Sequence, residues 1–135
     1  MRARPFAFHL RCWPVLAVPV LIVLAGCGGT PAAPAPDHDV AKKTLERALS
    51  SWQNGETIEG LEKASPSIKV SEPNWERGDK LTKFELQGAG KPKGGQREFQ
   101  VTLWLSNAKG KKTKEMVEYR VGTDPLETVT RLIFN

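Results

Sequence analysis

The residue of this 135-residue chain with the most distinctive chemical setting is Cys27, which ends the one strongly apolar run of the sequence. The only other cysteine, Cys12, lies within the same N-terminal segment. A thiolate is a nucleophile and a metal ligand. Beyond Cys27 a single histidine, His38, remains, so the sequence has no cysteine and histidine cluster with the spacing of a metal site. We therefore predict no metal and no cofactor.

The segment before Cys27 has the three parts of a secretory signal peptide. Residues 1–11 carry three arginines and no acid, residues 13–25 are uncharged, and small residues follow. A membrane-spanning helix needs about 20 apolar residues, and this shorter run is also interrupted by two prolines. The pattern predicts an export signal, residues 1–26, that is removed from the mature protein.

The tetrapeptide Leu24-Ala25-Gly26-Cys27 resembles the lipobox of bacterial lipoprotein precursors. This resemblance implies that the Cys27 thiol receives a diacylglyceryl group and that a signal peptidase cleaves between Gly26 and Cys27. Each buried CH₂ of an acyl chain contributes about 0.8 kcal/mol to membrane binding, so two or three chains hold a protein on a membrane almost permanently. The alternative is that Cys27 is an ordinary small residue near a conventional cleavage site.

Loss of the signal peptide changes the charge of the protein. The chain has 20 basic and 15 acidic side chains, and residues 1–26 contain three arginines and no acid, which leaves 17 − 15 = +2. Such a small excess does not indicate a nucleic-acid surface, which needs a clustered basic stripe. The resemblance also implies that Gly28, in place of the Asp that retains enteric lipoproteins in the inner membrane, is compatible with delivery to the outer membrane. We expect a location in the cell envelope, outside the cytoplasm.

The mature chain is predicted to contain a tether and one domain. Residues 27–38 comprise Cys27 and GGTPAAPAPDH, whose alternating Ala and Pro favour extended polyproline II. At about 3.1 Å per residue this tether would lift the domain about 30 Å off the bilayer. The remaining residues, 39–135, are enough for one domain and too few for two.

The first part of the domain is predicted to be helical. DVAKKTLERALSSWQNG places its apolar residues, including Trp52, on one face of a 3.6-residue period, with Asp39 as N-cap and Asn54-Gly55 at the end. ETIEGLEKA predicts a short second helix that Thr57 caps.

The rest of the domain has the two-residue period of strands. The predicted strands are SIKV (67–70), KLTKFELQG (80–88), REFQVTLWLS (97–106), TKEMVEYRVG (113–122) and LETVTRLIFN (126–135). Polar, glycine-rich GAGKPKGG (88–95) is predicted to be a flexible surface connection and not a phosphate-binding loop, because it joins two strands and contains a proline. Tyr119 and Phe99 fall on the apolar faces of their strands, and Trp104 falls on the opposite face. Helices followed by strands predict an α+β fold, in which the N-terminal helix and a short second helix pack on a curved antiparallel sheet of three to four strands.

This arrangement is similar to the cystatin-like or nuclear transport factor 2-like architecture, in which a cone-shaped sheet cups an N-terminal helix. ALSSWQNGETIEGL resembles that superfamily's opening, where a helix ends in an aromatic residue, a small loop and a Gly-acid pair, here Trp52, Gln53-Asn54 and Gly55-Glu56. The resemblance implies an alternative function, that of a ligand carrier or a small isomerase or dehydratase. Such enzymes place an Asp or His inside the cone.

No acid of the domain is an evident catalytic group. General acid–base work needs a group held in a water-poor pocket. The candidates that we considered are Glu85, Glu98, Glu115, Glu118, Asp124 and Glu127. Glu98 and Glu118 are predicted to face outward and Asp124 suits a turn, so we assign no catalytic residue and predict a non-enzymatic protein.

Binding residues are sought among the tryptophans and the basic clusters. Trp75, with Arg77 nearby, either forms a binding rim or covers the core, and the second interpretation is favoured. Trp104 either covers the back of the sheet or is exposed as part of such a rim. A basic turn at 109–114 either keeps a hairpin tip soluble or contacts anionic lipids or wall polymers. A second basic cluster, at 91–97, lies at the same or at the opposite end of the sheet.

The sequence as a whole indicates a lipid-anchored envelope domain. Its expected partners are the membrane, through lipid on Cys27, and another envelope protein or a small ligand bound in or around the sheet. A third possible function, beside a binding domain and an enzyme or ligand carrier, is that of a purely structural envelope protein.

Overall fold

A computed structural model describes residues 33–134 of the chain. The predicted signal peptide, the cleavage site at Gly26 and Cys27, and the first part of the tether lie outside the described residues. The described residues belong to one compact unit. The described elements are α1 (His38–Gln53), α2 (Ile58–Lys63), β1 (Ile68–Ser71), α3 (Pro73–Glu76), β2 (Lys80–Lys93), β3 (Gln96–Ser106), β4 (Lys112–Gly122) and β5 (Glu127–Leu132).

The fold is α+β, with α1 packed on one mostly antiparallel sheet. The described strands form a five-stranded sheet in the order β1-β5-β4-β3-β2, so the expected count of three to four strands was too low. The wholly antiparallel arrangement was also wrong, because β1 pairs with β5 in parallel, with Ile68 opposite Glu127. Among the described elements, α1 and α2 precede β1 and α3 follows it. After α3 the chain reaches the opposite edge of the sheet, where β2 begins.

The helix boundaries follow local capping chemistry. Asp37, and not the expected Asp39, is the N-cap of α1, and its side chain accepts a hydrogen bond from the Asp39 N–H at 2.9 Å. Asp39 instead lies in the first turn, where a carboxylate interacts favourably with the helix dipole. Gly55 ends this region with a φ of +81°, and Thr57 caps α2 by accepting from the Gly60 N–H at 3.1 Å. Both of these features were predicted.

The segment GAGKPKGG is part of the sheet, which corrects its prediction as a flexible connection. β2 extends to Lys93, and only Gly94 and Gly95 form the turn to β3. A register shift between Gln87 and Lys91 takes up the extra residues of this stretch. Gly90 is needed there, because a Cβ at this position would lie 2.6 Å from the Phe99 ring.

The core lies between α1 and one face of the sheet, and the predicted strand faces are confirmed. Trp52 is buried, as expected for the helix face that meets the sheet. The buried sheet residues include Leu81, Phe99, Val101, Leu103, Leu105, Val117, Tyr119, Val121 and Val129. Trp104 lies on the other face, here called the outer face, opposite Lys83 of β2 and Lys114 of β4.

Candidate functional site

Trp75 covers the edge of the core and also lines a groove. It lies in the short helix α3, which begins with Glu72 as N-cap and Pro73 in the first turn, and not in the expected loop. Its ring stacks on Trp52 with 5.4 Å between ring centroids and 7° between planes. The Trp52 N–H donates to the Asp79 carbonyl at 2.8 Å and the Trp75 N–H to the Glu56 carbonyl at 3.1 Å. Both tryptophans are therefore held in fixed positions.

The groove beside this stack has a volume of about 630 Å³ and is rich in carboxylates. It runs between the loop after α1, helix α2, helix α3 and the start of β2. Its acidic lining residues are Glu56, Glu59, Glu62, Glu76 and Asp79, and Lys80 is its one basic lining residue. An aromatic stack next to several carboxylates suits a positively charged ligand with an apolar part.

Arg77 lines a different cavity from Trp75. Its guanidinium donates to the Asn74 side chain and to Asp79, the latter at 3.2 Å. The cavity, of about 410 Å³, is lined by Pro73, Asn74, Arg77, Glu115, Arg131, Ile133 and Phe134. Trp104 is on the outer face, where Lys83 Nζ and Lys114 Nζ lie 4.6 and 5.0 Å from a ring centroid. The three candidate rim residues thus line three different surfaces.

A buried polar network contains an acid that the sequence analysis did not consider. Glu72 is 1% exposed and accepts hydrogen bonds from the Tyr119 hydroxyl, from the Asn74 N–H at 2.9 Å and from Arg131 Nη1 at 3.0 Å. Arg131 Nη2 also donates to Glu115 at 2.9 Å. Within the described residues, no buried side-chain nitrogen or oxygen lacks a partner. The network joins the segment after β1 to β4 and β5.

The network keeps the Tyr119 hydroxyl neutral and the Arg131 guanidinium charged. Burial, together with the negative charge of Glu72, raises the pKa of Tyr119 well above its ordinary value of 10.0. Burial opposes the charge on Arg131, but Glu72 and Glu115 outweigh it and raise the pKa of the guanidinium. A tyrosine kept neutral and a carboxylate bonded on all sides stabilise a fold and are poorly suited to proton transfer.

The sequence contains one signal that could have pointed to this network. Tyr119 is the only tyrosine and falls on an apolar strand face, and a buried tyrosine hydroxyl usually has a hydrogen-bond partner. The partner itself could not be read from the pattern, because Glu72 lies 47 residues away in the sequence.

The other acids of the sheet have structural partners or lie at the surface. Glu98 pairs with Arg120 at 2.6 Å on the outer face, as its predicted outward position allows. Glu85 pairs with Lys83 at 2.5 Å, and Glu127 lies 3.9 Å from Arg47. Glu118 accepts from Gln100 at 3.4 Å, and Asp124 is exposed between β4 and β5. Within residues 33–134 no three His, Cys, Asp or Glu side chains are placed to hold a metal ion.

The end of the predicted tether lies against the β2–β3 hairpin. A Cβ added at Gly95 would lie 3.3 Å from Ala33, so the two residues are in close contact. The Pro36 carbonyl accepts from Arg97 Nε at 3.2 Å. Arg97 also donates to the Gly90 carbonyl at 2.8 Å. The described part of the chain therefore begins at this hairpin, here called the hairpin end.

The two basic clusters lie at opposite ends of the sheet. The cluster at 91–97 surrounds the hairpin end, whereas the cluster at 109–114 surrounds the turn between β3 and β4. Because β3 connects the two turns, its 11 residues separate them. The groove lies at the end of the sheet that has the β3–β4 turn. The C-terminal residue of α1, Gln53, donates there to the Thr82 carbonyl near the start of β2.

Comparison of the chain with protein-family models, curated proteins and solved structures gives no match. Among the helices of residues 33–134, none combines the length and apolarity needed to cross a bilayer.

Proposed function

We propose that the protein is a lipid-anchored, non-enzymatic binding domain of the cell envelope, and that the groove beside Trp75 binds a positively charged partner. The observation that carries the proposal is the placement of tether and groove at opposite ends of the domain. The chain enters beside Gly95, and the groove opens beyond the C-terminal end of α1. A lipid on Cys27 would then hold one end of the domain and leave the groove accessible.

The distance between the two ends supports this arrangement. α1 begins next to the hairpin end, where the His38 ring lies 6.0 Å from the Phe99 ring, and it ends at the groove with Trp52. Its 16 residues span about 24 Å at 1.5 Å per residue. A partner in the groove therefore stays clear of the tethered end.

The partner's chemistry is indicated by the groove lining. Five carboxylates and one lysine give the groove a negative potential, and the stacked indoles supply an apolar wall. A basic segment of an envelope protein, or a small cation with an apolar part, complements both properties. Electrostatic attraction of this kind mainly accelerates association.

The fold and the buried groups favour binding over catalysis. We assign the domain to the cystatin-like or nuclear transport factor 2-like architecture, supported by a helix packed on a mostly antiparallel sheet. An enzyme of that architecture would need an open cavity at Trp52, Phe84 and Leu103 with an acid in it. Here Trp52 and Leu103 are buried in the core and Phe84 packs against it, and the buried acid Glu72 is fully bonded.

The anchor is tested by intact mass and detergent partitioning of the native protein beside a Cys27→Ala variant. The expected mass begins at Cys27 and includes acyl chains, and the variant lacks them and leaves the detergent phase. An unacylated native protein that stays in the aqueous phase would refute the anchor.

The groove is tested by photo-crosslinking in the native envelope. A photoreactive amino acid replaces Glu59 in the groove, and in a control it replaces Asp124, which is exposed between β4 and β5. We expect a basic partner to be captured only from position 59, and we expect Glu76→Lys to abolish that capture while Asp124→Lys does not. Equal capture from both positions, or capture that survives Glu76→Lys, would contradict the proposal.

A further inference from the structure

The outer face of the sheet carries a compact basic surface that shares only Lys80 with the groove. In one row across the strands, Lys80 of β2 and Lys112 of β4 flank Ser106 of β3. In the next row, Lys83 and Lys114 flank Trp104. Residues directly opposite each other in a sheet point to the same face, so the four lysines and Trp104 share one surface. We call these residues, Lys80, Lys83, Trp104, Lys112 and Lys114, the lysine–tryptophan patch.

The positive charge of the patch is mostly uncompensated. Within the described residues, Lys83 pairs with Glu85 at 2.5 Å, and no other patch lysine forms an ion pair. The adjoining turn adds Lys109 and Lys111, both exposed. Lysines that flank a central strand are about 10 Å apart, which is about one Debye length at 0.1 M salt. At this distance the like charges repel each other weakly.

Trp104 gives the patch the composition of a membrane-interface surface. Both flanking ammonium groups lie close to the indole ring, which keeps them on the outer face. Tryptophan is enriched at the level of lipid headgroups, where its apolar ring and its N–H are both accommodated. Met116, 67% exposed, lies in the next row and enlarges the apolar part.

We propose that the lysine–tryptophan patch binds an anionic lipid surface, so that the domain lies with its outer face on the membrane. This inference rests on the proposed anchor for the choice of membrane, but the charge and shape of the patch are independent of it. Each basic group near an anionic membrane strengthens binding about fivefold, so the four lysines together attract the domain to an anionic membrane.

The covalent reach of the anchor favours lipid over a more distant polymer. Ala33 is six steps along the chain from Cys27, with five residues between them, so these two residues can be at most about 20 Å apart. The patch lies about 26 Å further along β3, measured as the eight residues from Gln96 to Trp104. A domain standing upright would hold the patch beyond the roughly 8 Å range of electrostatic attraction. A domain lying on the outer face brings the patch to the headgroups and leaves α1 away from the bilayer, while the groove stays at the end of the domain opposite the tether.

Vesicle binding of the chain from Gly28 onward tests the patch without the anchor. This chain contains all of the described residues, 33–134, and with them the described core and sheet. We expect it to float with vesicles that contain phosphatidylglycerol, to lose binding as salt increases, and not to bind phosphatidylcholine vesicles. Lys83→Gln with Lys114→Gln should weaken binding about 25-fold.

The matched control is Lys42→Gln with Lys43→Gln on α1, which removes the same charge from the other side of the domain. It should leave vesicle binding within about twofold, whereas an equal loss in both double variants would show that only net charge matters and would overturn the proposal. Absence of binding to phosphatidylglycerol vesicles would also overturn it, including the case in which the chain binds soluble alginate through the same lysines. Because the chain from Gly28 lacks Cys27, failure of the anchor leaves these results unaffected, and a soluble native protein with an active patch would be a peripheral membrane protein.

Discussion

Removal of a single oxygen, by Tyr119→Phe, tests whether the buried network stabilises the domain. The Tyr119 hydroxyl donates to Glu72, and the two side chains are 0% and 1% exposed, so water cannot replace the lost bond. Phenylalanine fills the same space but leaves one Glu72 oxygen without this donor, while Arg131 and the Asn74 N–H still bind the other.

The expected loss follows from the charge on Glu72. A hydrogen bond to a charged group contributes about 1.5–3 kcal/mol, and we therefore expect Tyr119→Phe to lower the free energy of unfolding by about 2 kcal/mol. For a domain of about 100 residues this corresponds to a fall of roughly 10 °C in Tm. Urea denaturation at neutral pH, followed by circular dichroism of both proteins, measures the difference.

The dependence of stability on alkaline pH gives a second, independent test of the hydrogen bond between Tyr119 and Glu72. Burial first, and the charge of Glu72 next, raise the pKa of Tyr119 well above 10.0. The unfolded chain loses the phenolic proton near pH 10 and the folded chain keeps it, so the unfolded state binds fewer protons and stability falls as the pH rises above that point. Each further pH unit removes about 1.4 kcal/mol from the wild type and nothing, through this group, from Tyr119→Phe. The difference in free energy of unfolding between the wild type and Tyr119→Phe should therefore narrow above pH 10.

Two results would refute this account of the network. One is a stability difference below about 0.5 kcal/mol at neutral pH, which would mean that the buried bond contributes nothing net. The other is ultraviolet absorbance of tyrosinate in the folded protein near pH 10. Because the chain has one tyrosine, that signal can only come from Tyr119.

Two further substitutions test the close contacts of the hairpin end. Gly90→Ala should lower the free energy of unfolding by about 1–3 kcal/mol, because its Cβ would lie 2.6 Å from the Phe99 ring. Urea denaturation measures this loss, with Ala89→Ser at an exposed position as the control. Equal stability of the two variants would contradict the contact. Arg97→Ala removes the donors to the Pro36 and Gly90 carbonyls, so limited proteolysis should cut residues 33–37 faster than in the wild type, and an unchanged cleavage rate would show that Arg97 does not hold this segment.

Periodicity predicted the parts of the fold that depend on neighbouring residues. The buried face of α1 follows from a 3.6-residue spacing, and the inward positions of Phe99 and Tyr119 follow from strict alternation. The end of α1 at Gly55 and the capping role of Thr57 follow from local backbone needs.

Long-range pairing decided the parts that the sequence analysis missed. Glycines and a proline made residues 88–95 resemble a loop, but β2 extends through residue 93 beside β3, and the register shift takes up residues 88–90. Glu72 looked like a polar residue before Pro73, and only the arrival of Tyr119 and Arg131 from β4 and β5 makes it a buried acid. Likewise, the alternation that put Trp104 on the outer face could not show that lysines from two other strands surround it.

The docked end of the tether changes how the anchor, the patch and the groove work together. With Ala33 against Gly95, the covalent path from Cys27 to the domain is limited to about 20 Å, in place of the 30 Å expected for a fully extended tether. A shorter link raises the effective concentration of the patch at the bilayer, so even weak binding through Lys83 and Lys114 is enough to orient the domain. Because α1 packs on the opposite face of the sheet, the same orientation leaves α1 away from the bilayer and the groove beside Trp75 at the end of the domain opposite the tether. Disruption of the patch is therefore expected to leave the protein on the membrane but to free its orientation, whereas loss of Cys27 acylation releases it.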